Sequence, residues 1–210
     1  MSVSLFVIFF FALRTFVAEY GAVLVVSGTT RDMVATLAEQ SGQLPQPASA
    51  RSMRDLMSAC GKALTLVPIV KADSGLAAQV SIKCESIARE ILARAPSNAR
   101  ARAVDVLTAD RIDAVQLGIA QAAAPFEPWP LNIRLQAIAR AESVSPEVLA
   151  VAEGDFQRAL MSEWGKEEVA RIYQTRDALR QSITLAAEKA GPKDQKAFVD
   201  LLRRNLRDAG

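Results

Sequence analysis

Apolar residues recur at helical spacing along most of this 210-residue chain, with almost no alternation of apolar and polar residues. One series runs from Met53 to Val67, with apolar residues three or four positions apart. Similar series follow it, and prolines such as Pro68, Pro96 and Pro125 separate them. The pattern predicts an all-α chain with seven or eight helices from Arg31 onward, and their short links favour antiparallel helical hairpins.

Local signals predict where some of these helices begin and how long they are. Asp110 is expected to cap one helix. Ser145 is expected to cap another, because Pro146 and Glu147 suit the first turn of a helix. The series from Val169 to Ala190 predicts the longest helix of the chain.

The segment Phe126-Glu127-Pro128-Trp129-Pro130 is predicted to be a rigid connector, because closely spaced prolines are unfavourable inside a helix. Trp129, with Phe126 nearby, is the candidate recognition residue. An aromatic side chain held in a rigid loop can contact a protein or a sugar at a small entropic cost. The alternative interpretation is that Trp129 fills a groove between helix pairs.

The first thirty residues form the most hydrophobic part of the chain. The stretch from Val3 to Val26 spans about 25 residues, or ~37 Å as a helix, enough to cross a ~30 Å hydrocarbon core. Arg14 and Glu19 lie near its middle, and their cost in lipid roughly balances the gain from the apolar side chains. Both are candidate contacts with another membrane protein.

Three interpretations of this segment are open: a retained signal-anchor helix, which we favour, a cleaved secretory signal, or a buried helix of a soluble protein. On the first interpretation the chain divides into a membrane helix over 1–30, a linker over 31–51 and an all-helical domain over 52–210. The expected location is then the inner membrane, crossed once, with the helical domain in the periplasm. The few lysines and arginines near the segment do not determine its orientation.

The composition excludes several classes of function. The chain has no histidine, which rules out Ser-His-Asp and Cys-His catalysis and histidine-based metal sites. Its 25 basic and 23 acidic residues give a net charge of +2, so a nucleic-acid partner is not expected. The two Gly-Lys pairs lack the first glycine of a P-loop. We therefore expect no metal, no cofactor and no catalysis, and a small-molecule ligand is not favoured.

Cys60 and Cys84 lie on the apolar faces of two consecutive predicted helices, at similar distances from the turn that joins them. This placement predicts a disulfide. By restricting the unfolded chain, a disulfide that closes a loop of this size stabilises the fold by roughly 3–4 kcal/mol. A disulfide implies an oxidising compartment. The alternative is a pair of buried free thiols.

Charged residues supply the remaining candidates. Arg203, Arg204 and Arg207 near the C-terminus form a basic cluster that suits an acidic polysaccharide, a lipid or a protein partner. A small-ligand binder or a glycan-acting enzyme based on carboxylates would instead depend on acidic side chains, for which the candidates are Glu85, Glu142 and Glu163.

Two alanine-rich helix pairs end in Arg94-Ala95-Pro96 and, 29 residues later, in Ala123-Ala124-Pro125. Small residues at helix contacts and a proline at the repeat boundary resemble tetratricopeptide-type helical hairpins, over residues 76–164. The usual period of those repeats is about 34 residues, and their tryptophan and tyrosine positions are absent here. An irregular helical bundle is the alternative.

The hydrophobic start, the cysteine pair, the Ala-Pro hairpins and the Phe-Glu-Pro-Trp-Pro segment together resemble small bacterial envelope proteins of polysaccharide-biosynthesis loci. That resemblance implies a setting in the envelope and no particular reaction. The sequence thus predicts a non-catalytic, membrane-anchored scaffold or adaptor that binds protein partners in an envelope assembly. The alternative is that the chain is a subunit of a larger membrane complex.

Overall fold

The computed structural model describes residues 2–39, 47–66 and 74–208, and all regular elements in these ranges are helical. This confirms the all-α prediction. The described ranges contain eleven α-helices, and ten of them follow the N-terminal helix, where we expected seven or eight. The helices are α1 Ser2–Ser27, α2 Thr30–Glu39, α3 Ala50–Leu66, α4 Ser74–Arg94, α5 Ala99–Thr108, α6 Ala114–Ala123, α7 Pro128–Arg140, α8 Pro146–Leu160, α9 Glu163–Thr175, α10 Arg180–Glu188 and α11 Pro192–Asp208.

The chain forms two compact units, Met1–Thr108 and Ala109–Gly210. This division falls inside the segment 52–210 that we expected to form one domain. The expected end of the helix that carries the series from Met53, at Val67 and Pro68, lies outside the described residues.

The first unit is built around α3 and α4, which pack against each other and against α5. Helix α2 packs on α4, and α1 packs on α2 and α3. The buried side chains include Leu56, Met57, Cys60, Val80, Cys84, Ile87, Ile91 and Val104. These are the apolar positions of the predicted helical series, so the period of the sequence accounts for this core.

Helix α2, Thr30–Glu39, covers part of the segment 31–51, where we expected a linker. Its start is specified by Thr29 and Asp32, since the Asp32 carboxylate accepts from the Thr29 backbone N–H at 2.9 Å and the Thr29 hydroxyl accepts in return from the Asp32 N–H at 3.3 Å. The hydrogen bonds from Thr29 hold the pKa of the Asp32 carboxyl below its usual range. Burial of Met33 and Leu37 then attaches the helix to the unit.

The second unit is built around α8, which packs against α6, α7, α9, α10 and α11. Its fully buried side chains include Leu117, Leu135, Ile138, Phe156, Leu160, Ile172 and Ile183. The start of α8 is as predicted, since the Ser145 hydroxyl accepts from the Val148 N–H and Pro146 occupies the first turn. The predicted cap at Asp110 is wrong. Asp113 caps α6 instead, and its carboxylate accepts from the Gln116 N–H at 2.9 Å.

The predicted long helix from Val169 to Ala190 is interrupted. Helix α9 ends at Thr175, a 3-10 turn covers Asp177–Leu179, and α10 begins at Arg180. The break coincides with Arg176, whose guanidinium donates to the carbonyl oxygens of Ala139 and Ala141 at the end of α7. The arginine thereby satisfies carbonyl groups that have no partner within α7.

The predicted rigid connector is also wrong in its second half, because α7 begins at Pro128 and includes Trp129 and Pro130. The first intrahelical hydrogen bond runs from the Leu131 N–H to the Glu127 carbonyl at 3.1 Å. Pro128 and Pro130 therefore occupy positions where a backbone N–H has no acceptor within the helix, and the prolines cost no hydrogen bond there.

Helices α8 and α9 approach each other most closely at Gly165, in the first turn of α9. A Cβ atom at this position would lie 2.1 Å from the Ala159 carbonyl oxygen, a distance that no packing adjustment of side chains can relieve. Gly165 is thus required by the close approach of two backbones.

We expect Gly165→Ala to destabilise the second unit by about 1–3 kcal/mol, because the new methyl group overlaps backbone atoms. Trp129 and Trp164 are the chain's two tryptophans and both belong to this unit, so urea unfolding followed by tryptophan fluorescence reports it selectively. Gly118→Ala is the matched control: its Cβ atom would meet nothing within 4 Å, and helix propensity should make it neutral or slightly stabilising. Equal urea midpoints for Gly165→Ala and Gly118→Ala would contradict the close-packing account.

Candidate functional site

Helix α1 is the helix among the described residues that is long and apolar enough to span a membrane, over Phe6–Ser27. Its large apolar side chains are mostly exposed, whereas those of a core helix in a soluble protein are mostly buried. The exposed residues are Phe6, Val7, Ile8, Phe9, Phe10, Phe11, Leu13, Phe16, Val17, Tyr20, Val23, Leu24 and Val26. They form an apolar surface far larger than a soluble protein usually leaves in water.

The second half of α1 also packs against the rest of the first unit. Ala18, Ala22 and Val25 are buried on one face of the helix, where α1 contacts α2 and α3. Small side chains on this face allow the helix backbones to approach closely. The anchor candidate is therefore continuous with the folded unit.

Glu19 has its hydrogen-bond partners within the chain and needs none in another protein. Its carboxylate accepts from the backbone N–H groups of Ala48 at 2.8 Å and Ser49 at 2.7 Å, immediately before α3. The hydroxyls of Ser49 and Ser52 also donate to it. The Ser49 hydroxyl caps α3, since it accepts from the Ser52 N–H at 3.1 Å. Glu19 thus holds the capping residue from a distant part of the chain, near a helix N-terminus where a negative charge is favourable. Arg14 is exposed on α1.

Cys60 and Cys84 lie at disulfide distance, with their Cα atoms 5.6 Å apart. They join α3 to α4, and both residues are fully buried. The placement of the two cysteines on facing apolar stripes was sufficient to predict this pairing.

Phe126 and Trp129 lie on either side of the start of α7, in the second unit. The Phe126 side chain is 69% exposed, and the Arg158 guanidinium lies 5.9 Å from its ring centroid. Trp129 is half-buried in the first turn of α7. Of the two, Phe126 presents more surface to a partner, so the recognition role that we assigned mainly to Trp129 fits Phe126 better.

The predicted basic cluster lies on α11. Arg203, Arg204 and Arg207 are exposed and, together with Asp200 and Leu206, line a shallow open depression. Asp200 pairs with Lys196 at 2.7 Å and lies 3.7 Å from Arg203, and these cations lower the pKa of its carboxyl. The surface is basic and contains one exposed apolar side chain, Leu206.

The candidate catalytic carboxylates are distributed over both units. Glu85 in the first unit lies 2.5 Å from Arg89 in an i,i+4 ion pair. Glu163 in the second unit pairs with the buried Lys166 at 2.9 Å, and Asp194 of α11 lies 3.0 Å from the same ammonium group. The hydrogen bond that Lys166 donates to the Glu163 carboxylate raises the pKa of Lys166. Glu142 is exposed. No group of three or more acidic or cysteine side chains in the described parts of the chain could hold a metal ion.

Arg134 of α7 and Asp155 of α8 form a buried ion pair that the sequence pattern did not indicate. Both side chains are 0% exposed, and the guanidinium donates to both carboxylate oxygens, at 2.8 and 2.9 Å. A further guanidinium N–H points to the carbonyl oxygens of Ala120 and Ala124, at the end of α6. The pair thereby joins three helices in the core of the second unit, which is a structural role.

Comparison of the chain with protein-family models, with curated proteins and with solved structures gives no match.

We expect Arg134→Leu to destabilise the second unit by about 3–5 kcal/mol, because it removes the guanidinium that donates to both oxygens of the buried Asp155 carboxylate and leaves it the longer contact with Arg158 at 3.6 Å. Urea unfolding followed by tryptophan fluorescence measures the change. Lys196→Met is the control, since it removes a cation from an exposed pair in the same unit and should cost at most about 0.5 kcal/mol. A loss for Arg134→Leu no larger than that of the control would show that the buried pair is dispensable.

Proposed function

We propose that this chain is a non-catalytic, membrane-anchored scaffold or adaptor of the bacterial envelope. Helix α1 crosses the inner membrane once, and the helical units lie in the periplasm, where they contribute to a polysaccharide-biosynthesis or export assembly by binding proteins. One observation carries the proposal: α1 exposes apolar side chains along its length while its second half packs into the first unit.

The cysteine pair supports the periplasmic side of this proposal. Disulfides persist in oxidising compartments and are rare in the reducing cytosol. A fully buried pair at disulfide distance, 24 positions apart in the sequence, fits a domain that folds after export.

The second unit supports the adaptor role. Phe126 with the neighbouring Arg158 combines an exposed aromatic ring with a cation, and aromatic residues and arginine are enriched at protein interfaces. The basic surface of α11 is a second region that suits an acidic partner.

Thiol trapping after fractionation tests the compartment. Because Cys60 and Cys84 are fully buried, the cells must be denatured in the presence of a mass-tagged maleimide, or native burial alone would prevent labelling. We expect the protein in the carbonate-washed membrane fraction, with no tag added before reduction and two tags added after it. Cys84→Ser should add one tag without reductant, which calibrates the assay. Two tags without reductant on protein recovered from the soluble fraction would contradict the proposal.

Photo-crosslinking in native membranes tests the adaptor role. A benzoylphenylalanine residue replaces Phe126, and in the control it replaces Leu185, which is also exposed in the second unit. We expect one adduct of defined mass at position 126 and none at position 185. We also expect Arg158→Ser to reduce the yield at position 126 several-fold, because Arg158 lies over the Phe126 ring. Equal labelling at positions 126 and 185 would mean that the aromatic surface is not a binding site.

A further inference from the structure

The position of Glu19 restricts how far the first unit can enter a bilayer. The Glu19 carboxylate is hydrogen-bonded to the N–H groups of Ala48 and Ser49, so the start of α3 lies at the level of residue 19 on α1. Any lipid that surrounds α1 at Glu19 would also surround the first turns of α3.

Those first turns of α3 are charged and open to solvent. The side chains of Arg51 and Arg54 are 84% and 57% exposed, and both lie near Asp55, at 3.8 and 3.6 Å. Guanidinium groups are costly in hydrocarbon and favourable among phosphate headgroups. The hydrocarbon must therefore end before the level at which α3 begins.

The burial pattern along α1 changes at the same level. Every described side chain from Phe6 to Val17 is exposed, whereas Ala18, Ala22 and Val25 are buried against the unit. Residues 2–18 correspond to ~25 Å of helix, which lies at the short end of the lengths that span a bilayer. The part of the helix before Glu19 is thus long enough to cross by itself.

The two polar features near the boundary fit this position. Tyr20 stacks on Phe16, with ring centroids 6.0 Å apart, and tyrosine favours the interface between hydrocarbon and headgroups. Arg14 lies five residues before Glu19, about 7.5 Å deeper along the helix axis. An arginine side chain at that depth can extend to the headgroups.

We infer that the hydrocarbon boundary lies at Glu19, so that residues 2–18 cross the bilayer and Arg51 and Arg54 contact phospholipid headgroups. The first unit then lies on the membrane surface. The Glu19 hydrogen bonds attach it directly to the membrane helix, so no linker separates the two. This inference rests on the proposed anchoring by α1 and adds the depth and the attachment.

Depth-dependent fluorescence quenching tests the boundary in the full-length chain. Trp129 and Trp164 are replaced by phenylalanine, and one tryptophan is introduced at the exposed positions 10, 16 or 24 as Phe10→Trp, Phe16→Trp or Leu24→Trp. Each variant is reconstituted in phosphatidylcholine vesicles brominated at either the shallow 6,7 or the deep 11,12 acyl positions. Formation of the Cys60–Cys84 disulfide in each variant reports that the first unit is folded.

A boundary at Glu19 puts the bilayer centre near residue 10. We expect deep bromines to quench position 10 at least twice as strongly as shallow ones, the reverse order at position 16, and little quenching at position 24. Deepest quenching at position 16, with clear quenching at position 24, would mean that all of Phe6–Ser27 crosses, and would overturn the boundary alone. No quenching at any of the three positions would contradict the anchoring itself.

Glu19→Leu tests the attachment, since it removes the carboxylate that holds α3 at this level. We expect the deepest position to move from residue 10 toward residue 16, because the helix can then slide to bury more of its apolar length. Ser27→Leu is the matched control: it adds the same side chain at an exposed position of α1 and leaves the Glu19 hydrogen bonds intact, so its depth profile should be unchanged. An unchanged profile for a disulfide-bonded Glu19→Leu variant would contradict the role of Glu19.

Discussion

The Glu19 carboxylate connects the part of the chain that is suited to lipid with the part that is suited to water. A carboxylate within an apolar helix is expensive unless its charge is compensated, and here the exposed N–H groups at the start of α3 compensate it. The same contact holds Ser49, whose hydroxyl caps α3. Helix α1 consequently ends as a packed element of the first unit, although its described side chains from Phe6 to Val17 are exposed.

The first unit gains its internal stability from two further kinds of constraint. The apolar faces of α2 to α5 supply the core, and the Cys60–Cys84 pair ties α3 to α4 at the centre of that core. The second unit is stabilised without a disulfide. Its central helix α8 holds α7 through the buried pair of Arg134 and Asp155, and it meets α9 at the close approach that requires Gly165.

Features that depend on neighbouring residues or on helix period could be predicted from the sequence. The start of α8 follows from Ser145-Pro146, and the cysteine pairing follows from two apolar stripes on consecutive helices.

Features that depend on contacts between distant parts of the chain could not be predicted from the sequence. The break after Thr175 is tied to carbonyl groups of α7 that lie more than thirty residues earlier, and Arg134 and Asp155 are ordinary surface residue types until the fold brings them together. The hydrogen bonds of Glu19 could not be predicted either, because its partners lie beyond α2 in the chain. Trp129 was predicted to lie in a connector because prolines break a helix at most positions. Prolines are tolerated in the first turn of a helix, and Trp129 lies in the first turn of α7.

The account depends on α1 crossing the membrane with the helical units outside the cytosol, and protease digestion of intact spheroplasts tests this most directly. With an epitope tag on the N-terminus, we expect external protease to remove both helical units and to leave a small tagged fragment in the membrane fraction, containing little more than α1. Survival of the full-length chain until the spheroplasts are lysed would contradict the account, and so would recovery of the tag in the soluble fraction.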